Sequence, residues 1–252
     1  MKFTVPSSIL LFGKTSIATL LCAGLLSISV AQGATIISGN FQGTDPDGLA
    51  SSDVTGVYAA ANWNNLTGGS GSSIAMFDST NSSTGITVSF GMTGLGNING
   101  PFGPDTPQGH LIGGGLGVNY GTASFTLSGL DAYSSYDIIA YYSGGSAFPY
   151  DRNLSVSSSE SATIFYGAGI NSQFTTFTQA TSTTSGSPTQ GNYVVFSGLT
   201  DATQTITAHF VDNSMTFSGF QIVGVPEPST CVLVGMGGFA LLFLRRRTRY
   251  RA

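Results

Sequence analysis

The chain predicts an all-β fold, a single β-sandwich of the jelly-roll kind, on three observations. Between Ala34 and Gly224 the apolar residues recur with a period of 2 rather than 3.6. Short clusters of Gly, Ser, Thr and Asn separate these runs at intervals that suit turns. No stretch of this region has the length and one-sided apolar face of a long helix. About eleven strands with such spacing is the pattern of two packed sheets.

In chain order, residues 1–33 read as a secretory signal peptide. Lys2 and Lys14 form a basic n-region, Ile17 to Val30 an apolar h-region, and the small residues of Ala31-Gln32-Gly33-Ala34 suit cleavage after Ala31 or Gly33. Cys22 is no lipoprotein site, because bulky Leu21 precedes it. Residues 34–224 then form the sandwich ectodomain, about 190 residues, enough for one domain with a real core.

Expected strands are Thr35–Ser38, Ile74–Asp78, Ile86–Gly91, Ala123–Ser128, Tyr136–Tyr142, Asn153–Ser157, Ala162–Tyr166, Phe174–Thr178, Tyr193–Ser197, Gln204–Phe210 and Thr216–Val223. Alternation is clearest where Tyr136, Ile138, Ala140 and Tyr142 share one face, and where Ile206, Ala208 and Phe210 do. On the same logic Tyr141 and Tyr142 divide between core and surface, and His209 faces outward. Residues 57–65 suit a turn or short helix. Gly94–Gly117, with three prolines and Gly113-Gly114-Gly115, reads as a long surface loop. A second rim is expected at Ser143–Asp151, where Tyr150 could serve as an aromatic platform. Ser128-Gly129-Leu130 and Ser197-Gly198-Leu199 each end a strand before a polar turn, a recurring sandwich corner.

Charge narrows the partners. Within residues 34–224 Arg152 is the only basic residue against eleven acids, a net charge of −10. Nucleic acid and anionic membrane surfaces need a cationic face and are excluded. The two cysteines, Cys22 and Cys231, lie outside this region, so the domain has no disulfide, thiol nucleophile or thiolate metal ligand.

Catalysis finds no motif. Gly-x-Ser-x-Gly and His-Glu-x-x-His are absent, and Glu160 is the only glutamate of the domain. His110 and His209 have no partner at zinc-ligand spacing. Asp45-Pro46-Asp47-Gly48 places two carboxylates before a glycine turn, as calcium loops can, but the rest of an EF-hand loop does not follow. No cofactor is expected beyond that lead to Ca2+, and the chain is read as no enzyme. Trp63, the only tryptophan, stands among Asn62, Asn64 and Asn65. With Asn64 and Tyr150 it could contact a glycan, the ring stacking and the amide meeting hydroxyls. The alternative, favoured for a lone Trp in a sandwich, is an anchor whose indole N–H finds a carbonyl.

The last 28 residues, 225–252, carry three devices in order. Pro226-Glu227-Pro228-Ser229-Thr230 cannot be helix interior. Residues 231–244 are apolar and uncharged, and suit a short transmembrane helix. Arg245, Arg246, Arg247, Arg249 and Arg251 fix topology, because basic flanks stay in the cytoplasm.

This composite resembles the PEP-CTERM sorting signal of Gram-negative bacteria. The resemblance implies recognition by exosortase, a membrane-embedded cysteine transpeptidase-like enzyme, with processing near the Pro-Glu-Pro motif. It also implies delivery to the cell envelope or extracellular matrix, commonly beside exopolysaccharide systems. It covers about a tenth of the chain and bears on address rather than activity. Gly56–Leu66 resembles a motif near the N-terminus of PEP-CTERM proteins of unassigned role. The closing run Phe217–Val223 resembles the last strand of galactose-binding-like sandwiches, many of them carbohydrate-binding modules.

The expectation is therefore an exported, non-catalytic surface or matrix protein, membrane-anchored through its C-terminal helix before processing. Its expected partners are exosortase and extracellular polysaccharide. A carbohydrate-binding module is the alternative, with an ice-binding protein or secreted hydrolase behind it. Ice binding would need a regular threonine ladder, and the threonines follow no fixed sequence repeat.

Overall fold

The computed structural model describes residues 34–43, 48–99, 105–144, 152–169, 176–211 and 215–226. Twelve strands form within them: β1 (Thr35–Gly43), β2 (Asn64–Thr67), β3 (Gly71–Phe77), β4 (Ser83–Asn99), β5 (Gly115–Ser128), β6 (Tyr133–Ser143), β7 (Arg152–Ser158), β8 (Ile164–Gly169), β9 (Thr189–Gly191), β10 (Tyr193–Leu199), β11 (Thr203–Phe210) and β12 (Met215–Pro226). One α-helix, α1 (Pro107–Gly113), separates β4 from β5.

The strands make two mixed sheets packed as a sandwich. The first runs β10-β6-β12-β1-β2, and the second β3-β4-β5-β11-β7-β8-β9. They are hydrogen-bonded to each other at one corner, where β12 leaves β1 and pairs Phe217 with Leu116 of β5. Most pairs are antiparallel, but β1·β2 and β8·β9 are parallel. A jelly roll is an antiparallel eight-stranded arrangement, so the expectation of that topology is corrected to a mixed twelve-stranded sandwich.

Phenylalanines hold the layers together. Phe125 of β5 stacks on Phe220 of β12 with centroids 4.4 Å apart. Phe41 of β1 contacts both, as well as Phe90 and Phe217, at 5.2 to 5.9 Å. Aromatic pairs at these separations add about 0.5–1.5 kcal/mol each beyond the burial of their area.

From Ile138 to Ser143 both faces of β6 are buried. Tyr136, Ile138, Ala140 and Tyr142 enter the central core, as their alternation predicts. Ile139 and Tyr141, on the other face, join Leu49, Trp63, Leu111 and Ile112 in a second cluster. The division of Tyr141 and Tyr142 between core and surface is thus corrected: they face opposite ways, and both are fully buried. The cover over Tyr141 comes from the segment before β2, from α1, and from Phe177 at 5.5 Å.

Part of the expected Gly94–Gly117 loop is regular structure. β4 continues to Asn99, β5 starts at Gly115, and α1 lies between them with Leu111 and Ile112 buried. Thr106 caps α1, its hydroxyl accepting from Gly109 N at 3.1 Å, and Pro107 occupies the first turn, where its missing N–H costs nothing.

The transmembrane helix expected over residues 231–244 is also corrected. Among the described residues no helix is long and apolar enough to cross a membrane, and α1 has only seven residues. Residues 231–244 themselves lie outside the described residues. The length argues the same way: 14 apolar residues make a helix of about 21 Å, short of a hydrocarbon core of about 30 Å. Membrane anchoring, as a partner and as a location, therefore has no helix to rest on among the described residues. The leader, Glu227 to Thr230 and the five arginines likewise lie outside the described residues.

Candidate functional site

Segment 48–63 folds over the first sheet, and polar residues there and at the start of β2 hold it in place. Trp63 is 5% exposed, and its indole N–H donates to Ala60 O at 3.0 Å. Asn64 Nδ2 donates to Ser38 O at 2.9 Å and Phe77 O at 2.8 Å, while its Oδ1 accepts from Phe77 N at 3.0 Å. One side chain thus staples β1, β2 and β3. Asn65 does the same for the preceding segment, exchanging hydrogen bonds with Leu49 N and O at 3.1 and 2.8 Å. Asn62 adopts the left-handed φ of +54° and donates to Ser79 O at 2.9 Å.

Beneath this cover lies a buried polar knot. The Tyr141 hydroxyl donates to Gln221 Oε1 at 2.6 Å and accepts from Val57 N at 2.7 Å. Gln221 Nε2 donates to Tyr58 O at 2.7 Å and to Ser38 Oγ at 3.2 Å. Burial raises the Tyr141 pKa far above the ordinary tyrosine value, against the bond from Val57. Of the expected glycan contacts, Trp63 is therefore buried, and the amide of half-buried Asn64 is engaged by the backbone of Ser38 and Phe77. Tyr150 lies outside the described residues, as do Asp45 and Asp47.

The carboxylates act as turn clamps. Glu160 accepts from Thr200 N, Thr200 Oγ1, Asp201 N and Gln204 Nε2, tying the β7–β8 turn to the corner between β10 and β11. Burial pushes its pKa up, but these donors together hold it below the usual value. Asp78 accepts from Thr80 N, Thr80 Oγ1 and Ser82 N, with the same balance and a lowered pKa. His110 pairs with exposed Asp105 at 3.1 Å, and His209 stands exposed on β11. Among the described residues no group of three His, Cys, Asp or Glu could hold a metal ion.

The outer face of the second sheet is the surface that reading along the chain misses. Antiparallel register aligns Ser89 of β4, Thr126 of β5 and Thr205 of β11 in one row. The next row is Gly91, Ser124 and Thr207, continued by Ser157 of β7. A third is Thr93, Thr122 and His209, continued by Ser155 and then Tyr166 of β8. With Thr87, Ser128 and Thr203 at the other end, ten of twelve outward positions on β4, β5 and β11 are Ser or Thr. Hydroxyls bond across strands: Thr93 to Thr122 at 2.5 Å and Thr126 to Thr205 at 2.9 Å. Adjacent to the third row, a β-bulge in β5 holds Tyr120 at φ +50° with 66% of its surface exposed.

No family model matches the chain, and no curated protein matches it.

Proposed function

We propose that this chain is an exported, non-catalytic structural protein of the extracellular matrix, sorted by an exosortase-type system and associated with exopolysaccharide. The supporting observation is how far the described sandwich runs toward the sorting motif. β12, the strand shared by both layers, keeps its pairing with β6 through Val225↔Ser135 to Pro226↔Tyr133. Pro226 is the first residue of the Pro-Glu-Pro motif, so processing just beyond it would leave every described strand of the sandwich intact. The polar side chains that sequence patterning singles out brace the fold, as in a structural domain.

The test is the C-terminus of the secreted protein in a Gram-negative host with and without its exosortase. Mass spectrometry is expected to find a new terminus near Pro226–Pro228 only when the enzyme is present. Replacing Pro226 and Pro228 by Ala is expected to leave the tail in place. Secreted protein still ending at Ala252 in the exosortase-positive host overturns the reading.

A further inference from the structure

We propose that the outer face of the second sheet docks a neutral polysaccharide chain. This rests on the matrix reading and names the surface that would serve it.

Charge is the first argument. The outward positions of β4, β5 and β11 hold no carboxylate, lysine or arginine, although the domain carries −10. An acidic polymer would be repelled by the domain as a whole, and a cationic one drawn to carboxylates elsewhere. A neutral partner is the one that this uncharged face suits.

Chemistry is the second. Each hydroxyl is one donor and two acceptors, so rows of them can answer a sugar's hydroxyls in either sense. Strands about 4.8 Å apart and outward residues about 6.6–6.8 Å apart along them repeat that offer in two dimensions. A strand-to-strand twist of about 20–25° bends the array, which suits a flexible polymer and not a flat crystal such as ice.

Tyr120 is the third and independent observation. A non-glycine residue at φ +50° carries backbone strain, and the bulge uses it to present an aromatic ring to solvent. With Tyr166 of β8 at the far end of the adjacent row, the face has two aromatics, three strands apart, for the apolar face of a sugar.

The experiment is affinity electrophoresis of the full chain in gels carrying β-1,4-glucan, β-1,3-glucan, dextran or acidic alginate. Retardation is expected with at least one neutral glycan, unchanged by salt, and none with alginate. The triple variant Thr126→Val, Thr205→Val, Thr207→Val is expected to weaken it at least tenfold. Tyr120→Gly, which relieves the backbone strain and so keeps the fold, is expected to weaken it several-fold. Binding to no neutral glycan, equal binding to alginate, binding unchanged in Tyr120→Gly, or ice shaping as the only activity each overturns the proposal. Correct C-terminal processing without glycan retardation removes this face while leaving the sorting reading standing. Retardation without processing does the reverse.

Discussion

The Tyr141 hydroxyl and Gln221 Oε1 are 2.6 Å apart between adjacent strands, 80 residues apart in sequence, and buried. Together they supply partners for Val57 N, Tyr58 N and Tyr58 O, the backbone of the segment that covers the first sheet. Tyr141→Phe keeps the ring but leaves Val57 N–H without its acceptor. The expected cost is about 1–3 kcal/mol, that of a buried donor left unsatisfied. Urea unfolding followed by the fluorescence of Trp63, the only tryptophan, measures it directly. A midpoint equal to wild type would mean that the cover holds without the knot.

Tyr142→Phe should behave in the opposite way. Its hydroxyl is buried with no hydrogen-bond partner among the described residues, and burial alone raises its pKa. Removing a desolvated, unpaired hydroxyl is expected to leave stability unchanged or to raise it by up to about 1 kcal/mol. Each kcal/mol moves the midpoint of thermal unfolding by roughly 2–4 °C in a domain of this size. A clear fall on thermal unfolding would contradict the hydroxyl's isolation.

Acid should loosen the corners before the core. Glu160 and Asp78 both have folded pKa values below their ordinary ones, 4.5 and 3.8. For such groups the stabilisation is present above the unfolded pKa and is lost as pH falls through the folded one. Thermal midpoints should therefore hold level near neutrality and decline below about pH 4.5, with a shallower decline in Glu160→Gln. The effect is small because both carboxylates sit only partly buried, at surface turns where solvent screens them. An identical acid slope in the variant would sink this assignment.

Local chemistry made part of this fold legible. The alternation of β11 places Ile206, Ala208 and Phe210 inside and His209 outside, as read from the sequence. The two Ser-Gly-Leu corners exist because Gly129 and Gly198 take φ of +87° and +69°, which glycine adopts without strain, while Leu130 and Leu199 are buried. What stayed hidden depends on distant partners. β2 is four residues long and exists through parallel pairing with β1. The strand expected at Phe174–Thr178 is absent over residues 176–178, where Phe177 packs on Tyr141 from a loop. Thr126 and Thr205 carry no shared repeat in sequence and become neighbours only through the register of β5 and β11.

Two consecutive residues of β5 should separate stability from surface function. Phe125 is fully buried between the layers against Phe41, Phe217 and Phe220. Phe125→Ala is expected to cost about 3–5 kcal/mol, the transfer term plus the cavity left among rings that cannot collapse into it. That is a large share of the 5–15 kcal/mol typical of a domain, and about 6–20 °C in thermal midpoint. Thr126, one residue on, points to the opposite face and bonds only to another surface hydroxyl among the described residues. Thr126→Val keeps the β-branched shape the strand prefers and should shift stability by less than about 1 kcal/mol. Thermal unfolding of the two variants side by side tests the inside-outside assignment of the whole second sheet. If Thr126→Val unfolds as readily as Phe125→Ala, the hydroxyl face is part of a packed interior and not a surface.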